Sequence, residues 1–335
     1  MAGEITSAYE PDVFAVVRKV LSDIGYSSEG IAMDTFVHQQ SPDIAGAVDT
    51  SKERREGVSD NQMDWFQGAG DQGVMIGYAC DETKQLMPIP VVLANRIVRE
   101  LSACRQSSYI QGILPDGKAQ VTVEYENGKP VRLDSVVVSC QHTEDKNLKK
   151  LEAEIRKKVL LPALRLLPPD EDTKIFINPS GRFVCGGMDA DTGLTGRKLM
   201  VDSYGSMVPH GGGAFSGKDC SKVDRSVAYM ARYIAKNIVA ARLASRCQVS
   251  LAYAIGVAQP VMVQVDTFGT GKVCADDCLE LAIPLVFGLT PKQIVDSLRL
   301  TRPIFRQTAA FGHFGRKEFP WERTDKVEAL RNAVI

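Results

Sequence analysis

The strongest constraint on the fold is an order of elements that the sequence repeats: an amphipathic helix followed by two alternating strands. In the first copy, Leu93, Ile97 and Leu101 recur every four residues after two prolines, which predicts a helix with one buried face. In the second copy, a longer helix from Lys222 to about Ser245 has similar apolar spacing. Such apolar faces need a sheet to cover them. The repeat therefore predicts an α+β protein built from similar α/β modules.

Each predicted helix is followed by residues typical of paired strands. In the first copy, apolar residues alternate over 121–125 and again over 131–138, on either side of Asn127-Gly128. This dipeptide is the strongest short hairpin signal because both of its residues tolerate positive φ.

The start of the helix in the second copy also has a sequence signal. Ser221 and Asp224 have the spacing of a capping box, which predicts where the long helix begins.

Charge and cysteine content exclude several classes of protein. The 335 residues include 40 Lys and Arg against 41 Asp and Glu, a net charge of -1, so we expect no nucleic acid and no membrane as partner. The eight cysteines are scattered, without zinc-ligand spacing or a disulfide framework. The first residues contain no apolar signal segment. These features predict a cytoplasmic protein in a reducing environment.

Two glycine-rich loops partly match nucleotide-binding patterns. Gly68 to Gly73 has the spacing of a dinucleotide fingerprint, but the residues before it are polar where that fingerprint needs a buried strand. Gly212 to Lys218 has the spacing of a phosphate loop, but Asp219 stands where a magnesium-holding Ser or Thr is required. Glycine amides, a lysine and the following helix N-terminus nevertheless favour a polyphosphate. The alternative is a glycine-rich turn that only caps the helix.

Three further turns combine charged side chains with glycine. They are Asp116-Gly117-Lys118, Arg182-Phe183 after Asn178-Pro179-Ser180-Gly181, and Asp191 ahead of Gly193 to Lys198. Taken singly, each has the composition of a solvated turn. Together they supply basic groups for phosphates and carboxylates for a divalent metal, in loops that a ligand can approach. The four histidines have no metal-ligand spacing and are interpreted as structural hydrogen-bonding residues.

These motifs resemble a known family. Gly68 to Gly73 and Gly211 to Asp219 are similar, in order and separation, to the two hallmark stretches of the methionine adenosyltransferases, also called S-adenosylmethionine synthetases. Other segments similar to that family are Gln40 to Ile44, Gly193 to Lys198 and Gly312 to Arg316. The resemblance runs from about Gly3 to the C-terminus.

The resemblance implies a fold and a division of the chain. We expect three α/β subdomains, sheets covered by helices, in a pseudo-threefold arrangement with the first subdomain truncated. The expected divisions are a remnant of the N-terminal subdomain over 1–48 with a mobile active-site loop from Gln40, a polar loop over 49–67, a central subdomain over 68–183 and a C-terminal subdomain over 184–335.

The resemblance also implies the activity and its site. ATP, L-methionine and water would give S-adenosylmethionine, phosphate and diphosphate, with Mg²⁺ and K⁺ as cofactors, in a homodimer or a dimer of dimers. Carried over by position, the expected ATP-binding residues are Asp116, Lys118, Arg182, Phe183, Asp191, Arg197, Lys198, Ala214 and Lys218. The expected methionine-binding residues are Glu4, Gln40, Asp191 and Lys222, and the expected metal-binding residues are Asp71 and Asp224.

The sequence departs from the family pattern at its opening. No His-Pro pair occurs in the 335 residues, so the His-Pro-Asp-Lys motif and its following segment have no counterpart. The main magnesium and potassium ligands of the family belong to that part. We therefore expect the chain as written to form S-adenosylmethionine poorly or not at all. The alternative hypothesis is a truncated, inactive or weakly active homologue that binds nucleotide or associates with other subunits.

Overall fold

Helices and strands of the chain form two units. The structure, a computed structural model, describes residues 1–42, 46, 50–57 and 67–334. The first unit comprises Met1–Ala45, Leu93–Tyr125 and Val131–Thr192, and the second comprises Gly46–Val92, Glu126–Pro130 and Gly193–Ile335. Most of the predicted mobile loop and polar loop, at 43–45, 47–49 and 58–66, lies outside the described residues.

Helices and several small sheets share the described part of the chain, which confirms the predicted α+β class. The strands are β1 Ala2–Glu4, β2 Phe36–His38, β3 Gly73–Cys80, β4 Ile113–Glu126, β5 Lys129–His142, β6 Lys174–Ile177, β7 Arg246–Tyr253 and β8 Met262–Asp266. The α-helices are α1 Val13–Ile24, α2 Lys52–Arg55, α3 Ile89–Gln106, α4 Leu148–Ile155, α5 Leu161–Ala163, α6 Leu199–Asp202, α7 Val223–Ala240, α8 Asp276–Val286, α9 Pro291–Ser297 and α10 Val327–Ala333. In the described part of the chain, no single helix is long and apolar enough to cross a membrane. Helices α8 and α9 reach that length and composition only together, and they are bent by 75° relative to each other.

Most of the predicted helix and hairpin belongs to the first unit. In α3, Leu93, Ile97 and Leu101 are buried, as their four-residue spacing predicts. Strands β4 and β5 form the hairpin, and β6 pairs with β5 in parallel. At the hairpin turn, Asn127 and Gly128 have φ of 51° and 75°, the two positive values that this tight turn needs. Strands β1 and β2 form a separate parallel pair.

The second unit is built on an antiparallel sheet in the order β3-β7-β8. Helix α7 lies so close to β3 that a Cβ at Gly77 would be 2.0 Å from the carbonyl carbon of Ala231. Only glycine permits this approach. On the same helix, Tyr229 stacks on the fully buried Trp321 with ring centroids 3.7 Å apart. The core of this unit therefore places the N-terminus of α7 beside the loop that precedes it.

The predicted capping box at the start of α7 is wrong. Lys222 is the residue that caps the helix, and no side-chain hydrogen bond caps its first turn. The amide of Ser221 instead donates to the carboxylate of Asp219 over 2.7 Å. A local turn therefore uses the residues that the capping pattern assigned to the helix, as Asp side chains commonly do.

Helix α7 also ends earlier than predicted, at Ala240. Arg242 takes a positive φ of 63°, which a continuing helix does not allow. The amide of Leu243 then donates back to the carbonyl of Ile238 over 3.2 Å, a common way of satisfying the last turn. This tight ending lets β7 begin at Arg246.

Candidate functional site

In the second unit, two of the loops predicted to bind substrate touch each other. A Cβ at Gly196 would lie 2.5 Å from the Cβ of Ala214, and a Cβ at Gly217 would lie 3.3 Å from Cγ2 of Thr195. The contact brings Arg197-Lys198, which are exposed, next to the loop that carries Lys218. Three of the cations assigned to ATP therefore belong to one region of this unit.

The glycine-rich loop over 211–218 lies against β3 and α7. A Cβ at Gly211 would be 1.6 Å from the carbonyl oxygen of Val74, and a Cβ at Gly213 would be 2.2 Å from Oδ1 of Asp224. Neither position has room for a side chain. The glycines are therefore required for the close approach of the loop to its support, in addition to any ligand that they admit.

An ion pair joins this loop to α7. Nζ of Lys218 lies 2.5 Å from Oδ2 of Asp224, which sits in the first helical turn. The carboxylate is 16% exposed and the lysine side chain 35%, so the cation keeps a face toward solvent. A carboxylate also complements the partial positive charge of a helix N-terminus. Lys222, at the cap position, adds a second cation to this turn.

Asp71 belongs to the loop that leads into β3. A Cβ at Gly73 would lie 3.8 Å from Oδ1 of Asp224, so this loop ends beside the ion pair. Asp71 itself is exposed, and its Oδ1 accepts a 2.8 Å hydrogen bond from the amide of Gln72. Within the described ranges, no three His, Cys, Asp or Glu side chains form a group suited to a metal ion.

A small open cleft lies between the loop and β3. Its lining residues are Val74, Met75, Ile76, His210, Gly211, Gly213, Phe215, Asp224 and Ala228. Nδ1 of His210 accepts the amide hydrogen of Gly212 over 2.8 Å, while its buried Nε2 has no hydrogen-bond partner in the described part of the chain. Burial lowers the pKa of His210, although Asp224 opposes this, so the ring favours its neutral form.

In the first unit, the carboxylate of Asp116 is the centre of a hydrogen-bonded group. It accepts from the hydroxyl of Tyr26 and, over 2.8 Å, from the amide of Gly187. The amide of Asp116 donates to Oε1 of Gln141 over 3.2 Å. Burial raises the pKa of Tyr26, and the hydrogen bond to Asp116 raises it further, so the hydroxyl keeps its proton and donates it.

Sequence reasoning missed Tyr26 and Gln141. The ring of Tyr26 lies over Gly187, where an added Cβ would be 2.7 Å from its Cζ and where φ is 59°. Tyr26 follows α1 directly, some ninety residues before Asp116, so no local pattern links the two. The one sequence signal is Gly25, which takes a φ of 92° and ends α1 immediately before the tyrosine.

Gln141 and its neighbour His142 hold the segment that carries Phe183. His142 donates its amide to the carbonyl of Phe183 over 2.9 Å and accepts the amide of Phe183 at Nε2 over 3.1 Å. Nε2 of Gln141 donates to the carbonyl of Val184 over 2.9 Å. Gln141 therefore connects Asp116 with this segment. The predicted turn over 116–118 is wrong, because these residues lie within β4. Arg182 faces outward and pairs with Glu144.

The remaining predicted residues lie on the surface of the first unit. Lys118 is exposed on β4, and Asp191 is exposed with its amide 3.3 Å from the carbonyl of Gly187. Glu4 lies beside His38 on the β1-β2 pair, with 3.6 Å between the carboxylate and Nε2. The amide of Gln40 is 3.4 Å from the hydroxyl of Thr6.

The four histidines each make a hydrogen bond, in agreement with a structural role. Nδ1 of His38 contacts the carbonyl of Gln39 over 2.9 Å, and His313 is bonded at both ring nitrogens. His142 and His210 have been placed above. The partners of His38, His142 and His210 are backbone groups, whereas His313 joins the side chain of Tyr229 on α7 to that of Ser216.

Comparison with known proteins identifies the family of this α+β protein. Residues 66–183 match the family model for the S-adenosylmethionine synthetase central domain, and residues 185–323 match the model for its C-terminal domain. The chain is 51% identical to an S-adenosylmethionine synthase of Desulforudis audaxviator strain MP104C, over 99% of its own length and 86% of the relative's. The chain therefore belongs to the S-adenosylmethionine synthetase family, and its activity is that of a methionine adenosyltransferase.

Proposed function

We propose that the chain forms S-adenosylmethionine from ATP, L-methionine and water, with release of phosphate and diphosphate, through the residues assigned above. The observation that carries this proposal is the contact between loops 193–198 and 211–218 beside the Lys218–Asp224 pair. It places cations, glycine amides and a helix N-terminus in one region, the combination that binds a polyphosphate.

The chemistry requires little of the protein beyond position and charge. A thioether sulfur attacks the ribose C5′ and becomes a sulfonium, so no proton has to be removed from the nucleophile. The carbon–oxygen bond to the triphosphate breaks, and negative charge grows on the leaving group. Preorganised cations stabilise that charge, and one charge-assisted hydrogen bond contributes roughly 1.5–3 kcal/mol. The same cations can hold the triphosphate while water cleaves it.

Roles follow from the chemistry of each side chain. We assign the triphosphate to Arg197, Lys198 and Lys218, and to the backbone of Ala214, which packs against Gly196. We assign the nucleoside to Asp116, Lys118, Arg182 and Phe183. The methionine set is Glu4, Gln40 and Lys222, and Asp191 is shared between the two substrates.

Membership of this family suggests a metal-dependent enzyme, and we propose Mg²⁺ and K⁺ as its ions. When bound, such ions would neutralise phosphate charge. The described residues do not by themselves make a metal site, because Asp224 is already paired with Lys218 and Asp71 bonds within its own turn. Mg²⁺ often takes one or two carboxylates with substrate phosphates as its other ligands. We therefore assign Asp71 and Asp224 only that supporting role and derive no step through a metal.

Assembly, location and domain boundaries also remain proposals. We propose a homodimer or a dimer of dimers, located in the cytoplasm, with the divisions 1–48, 49–67, 68–183 and 184–335. The matches to separate central and C-terminal domain models, which meet at 183–185, support the last boundary. The eight free cysteines support a reducing compartment.

Product analysis tests the function directly. The purified chain is incubated with ATP, L-methionine, Mg²⁺ and K⁺, and S-adenosylmethionine, phosphate and diphosphate are quantified by mass spectrometry and ion chromatography. The proposal expects the three products in equal amounts, at a rate lowered by the absence of the His-Pro-Asp-Lys motif, and none of them when methionine is replaced by norleucine, which lacks sulfur. Nucleotide binding measured by calorimetry without any S-adenosylmethionine would instead favour the alternative of an inactive, nucleotide-binding homologue.

Tyr26→Phe is expected to raise the KM for ATP about fivefold, because Asp116 loses one of the hydrogen bonds that orient it. Steady-state kinetics with each substrate varied in turn is the measurement. Tyr109→Phe is the matched control, since Tyr109 is 59% exposed in the same unit. An unchanged KM for ATP in Tyr26→Phe would remove Asp116 from the ATP set or Tyr26 from its support.

A further inference from the structure

A buried arginine holds the glycine-rich loop from behind. Arg225 follows Asp224 in α7 and is 3% exposed. Its Nη1 donates to the carbonyl oxygen of Lys218 over 2.6 Å, and its Nη2 donates to the hydroxyl of Thr308 over 2.8 Å. Its plane also lies over the ring of Phe305, 3.7 Å from the centroid. The backbone of Lys218 is thus attached to a side chain that is itself fixed on several sides.

A second series of hydrogen bonds connects Arg225 with the loop. Nε of Arg225 donates to Oη of Tyr229 over 3.0 Å, and that oxygen lies 2.8 Å from Nδ1 of His313. Nε2 of His313 lies 3.3 Å from Oγ of Ser216, which is two residues before Lys218. The network of Arg225, Tyr229 and His313 therefore contacts the loop at both Ser216 and Lys218.

The direction of these hydrogen bonds can be assigned. Arginine only donates, so Tyr229 accepts from it and keeps its own proton available for Nδ1 of His313, the arrangement that we assign. A neutral His313 then carries its hydrogen on Nε2 and donates it to Ser216. Burial lowers the pKa of His313 to about 3, and Arg225 and Arg316 add to the effect. The ring is therefore neutral near neutral pH, as this assignment requires.

Aromatic packing supports the loop between the two histidines. The ring of Phe215 lies 5.1 Å from that of His313 and 5.5 Å from that of His210, measured between centroids. Phe215 is 2% exposed, so the middle of the loop is anchored in the core. Lys218 extends from this anchored part toward Asp224 and solvent.

We propose that Arg225, Tyr229 and His313 are positioning residues that fix the Lys218 ammonium group for the triphosphate of ATP. The inference rests on the proposed function, and it adds residues that touch no substrate. A lysine side chain has several rotatable bonds, so the position of its charge depends on a fixed backbone. The network supplies that fixed point from inside the core, and small displacements of a charged group lower its contribution to the transition state.

The sharpest test separates the two ring nitrogens of His313. Glutamine can place its amide near the position of Nε2 and asparagine near that of Nδ1, so His313→Gln keeps a partner for Ser216 whereas His313→Asn keeps one for Tyr229. We expect His313→Asn to raise the KM for ATP about three- to tenfold, the effect of about one hydrogen bond, and His313→Gln to raise it less. The KM for methionine should change in neither variant.

Ser216→Ala tests the loop end of the network with little risk to folding. It should reproduce the higher KM for ATP, and Ser250→Ala, which removes a buried hydroxyl from β7, should not. Equal effects of His313→Asn and His313→Gln, or an unchanged KM for ATP in Ser216→Ala, would overturn the inference.

A binding experiment keeps this inference separate from the function on which it rests. The affinity of each variant for a non-hydrolysable ATP analogue is measured by calorimetry alongside the wild type. Weaker binding in Ser216→Ala and His313→Asn supports the network whether or not turnover is observed. Absence of S-adenosylmethionine with the wild type would count against the proposed function, whereas unchanged analogue affinities would count against the network.

Discussion

Replacing Lys218 by methionine is expected to lower the turnover number for S-adenosylmethionine about 10²–10³-fold, the usual effect of losing one preorganised charge at a transition state. Lys218 is held at two points in the proposed triphosphate region, since its backbone and its ammonium group both have partners. The leaving triphosphate gains charge as the carbon–oxygen bond breaks. An apolar side chain of similar length cannot compensate that charge.

Two further variants serve as comparisons for Lys218→Met. Lys218→Arg keeps a cation in a different geometry and should retain more activity than Lys218→Met. Lys292→Met removes a lysine that is also paired with an aspartate, Asp296, but at the surface of α9 and outside the site, and should leave turnover unchanged. Circular dichroism checks that each variant is folded. A turnover number within threefold of wild type for Lys218→Met would remove this lysine from the triphosphate site.

Local elements were predictable from the sequence because their signals are local. The four-residue spacing in α3 and the Asn127-Gly128 turn each depend on a few neighbouring residues, and the structure confirms both. The capping box failed for a related reason. Its pattern was present, but the amide of Ser221 donates to Asp219 instead of Asp224. Sequence spacing does not show which of these two hydrogen bonds forms.

The candidate site was only partly predictable. Glycine and charge patterns indicated the loops that carry Arg197 and Lys218, and the structure brings those loops into contact. The residues that support them are distant in sequence, since His313 lies 97 residues from Ser216. Burial of such a residue depends on the tertiary fold. A lone histidine or tyrosine in the sequence therefore gives no sign of the partner that it will have.

One buried ion pair joins distant parts of the second unit. Arg232 and Glu322 are both fully buried as side chains, and Nη2 of Arg232 lies 2.8 Å from Oε2 of Glu322. Lys236 reaches the same carboxylate over 2.7 Å, and the amide of Gly315 donates to Oε1 over 2.7 Å. Nη1 of Arg232 also donates to the carbonyl of Tyr78 at the end of β3. The carboxylate thus balances two cations in the core.

Glu322→Gln is expected to lower the free energy of unfolding by about 3–5 kcal/mol, the usual cost of leaving a buried charge unpaired. The glutamine keeps the shape but leaves Arg232 and Lys236 without a counter-charge. Lys236→Met should cost less, because the Arg232–Glu322 pair stays balanced. Urea unfolding at pH 7.5, followed by circular dichroism, measures the three proteins. A loss in Glu322→Gln no larger than in Lys236→Met would contradict this account.

The same carboxylate should make stability depend on pH. Burial alone would raise the pKa of Glu322, but Arg232 and Lys236 outweigh it and hold the pKa below its ordinary value. An unfolded chain has a glutamate pKa of about 4.3. The contribution of Glu322 to the free energy of unfolding is therefore complete above that pH and is lost as the pH falls through the lower, folded pKa.

Wild-type stability should fall more steeply than that of Glu322→Gln as the pH is lowered below about 4.3. The control Glu328→Gln, whose side chain is 78% exposed and paired only at the surface, should keep the wild-type slope, because a screened pair contributes little in either protonation state.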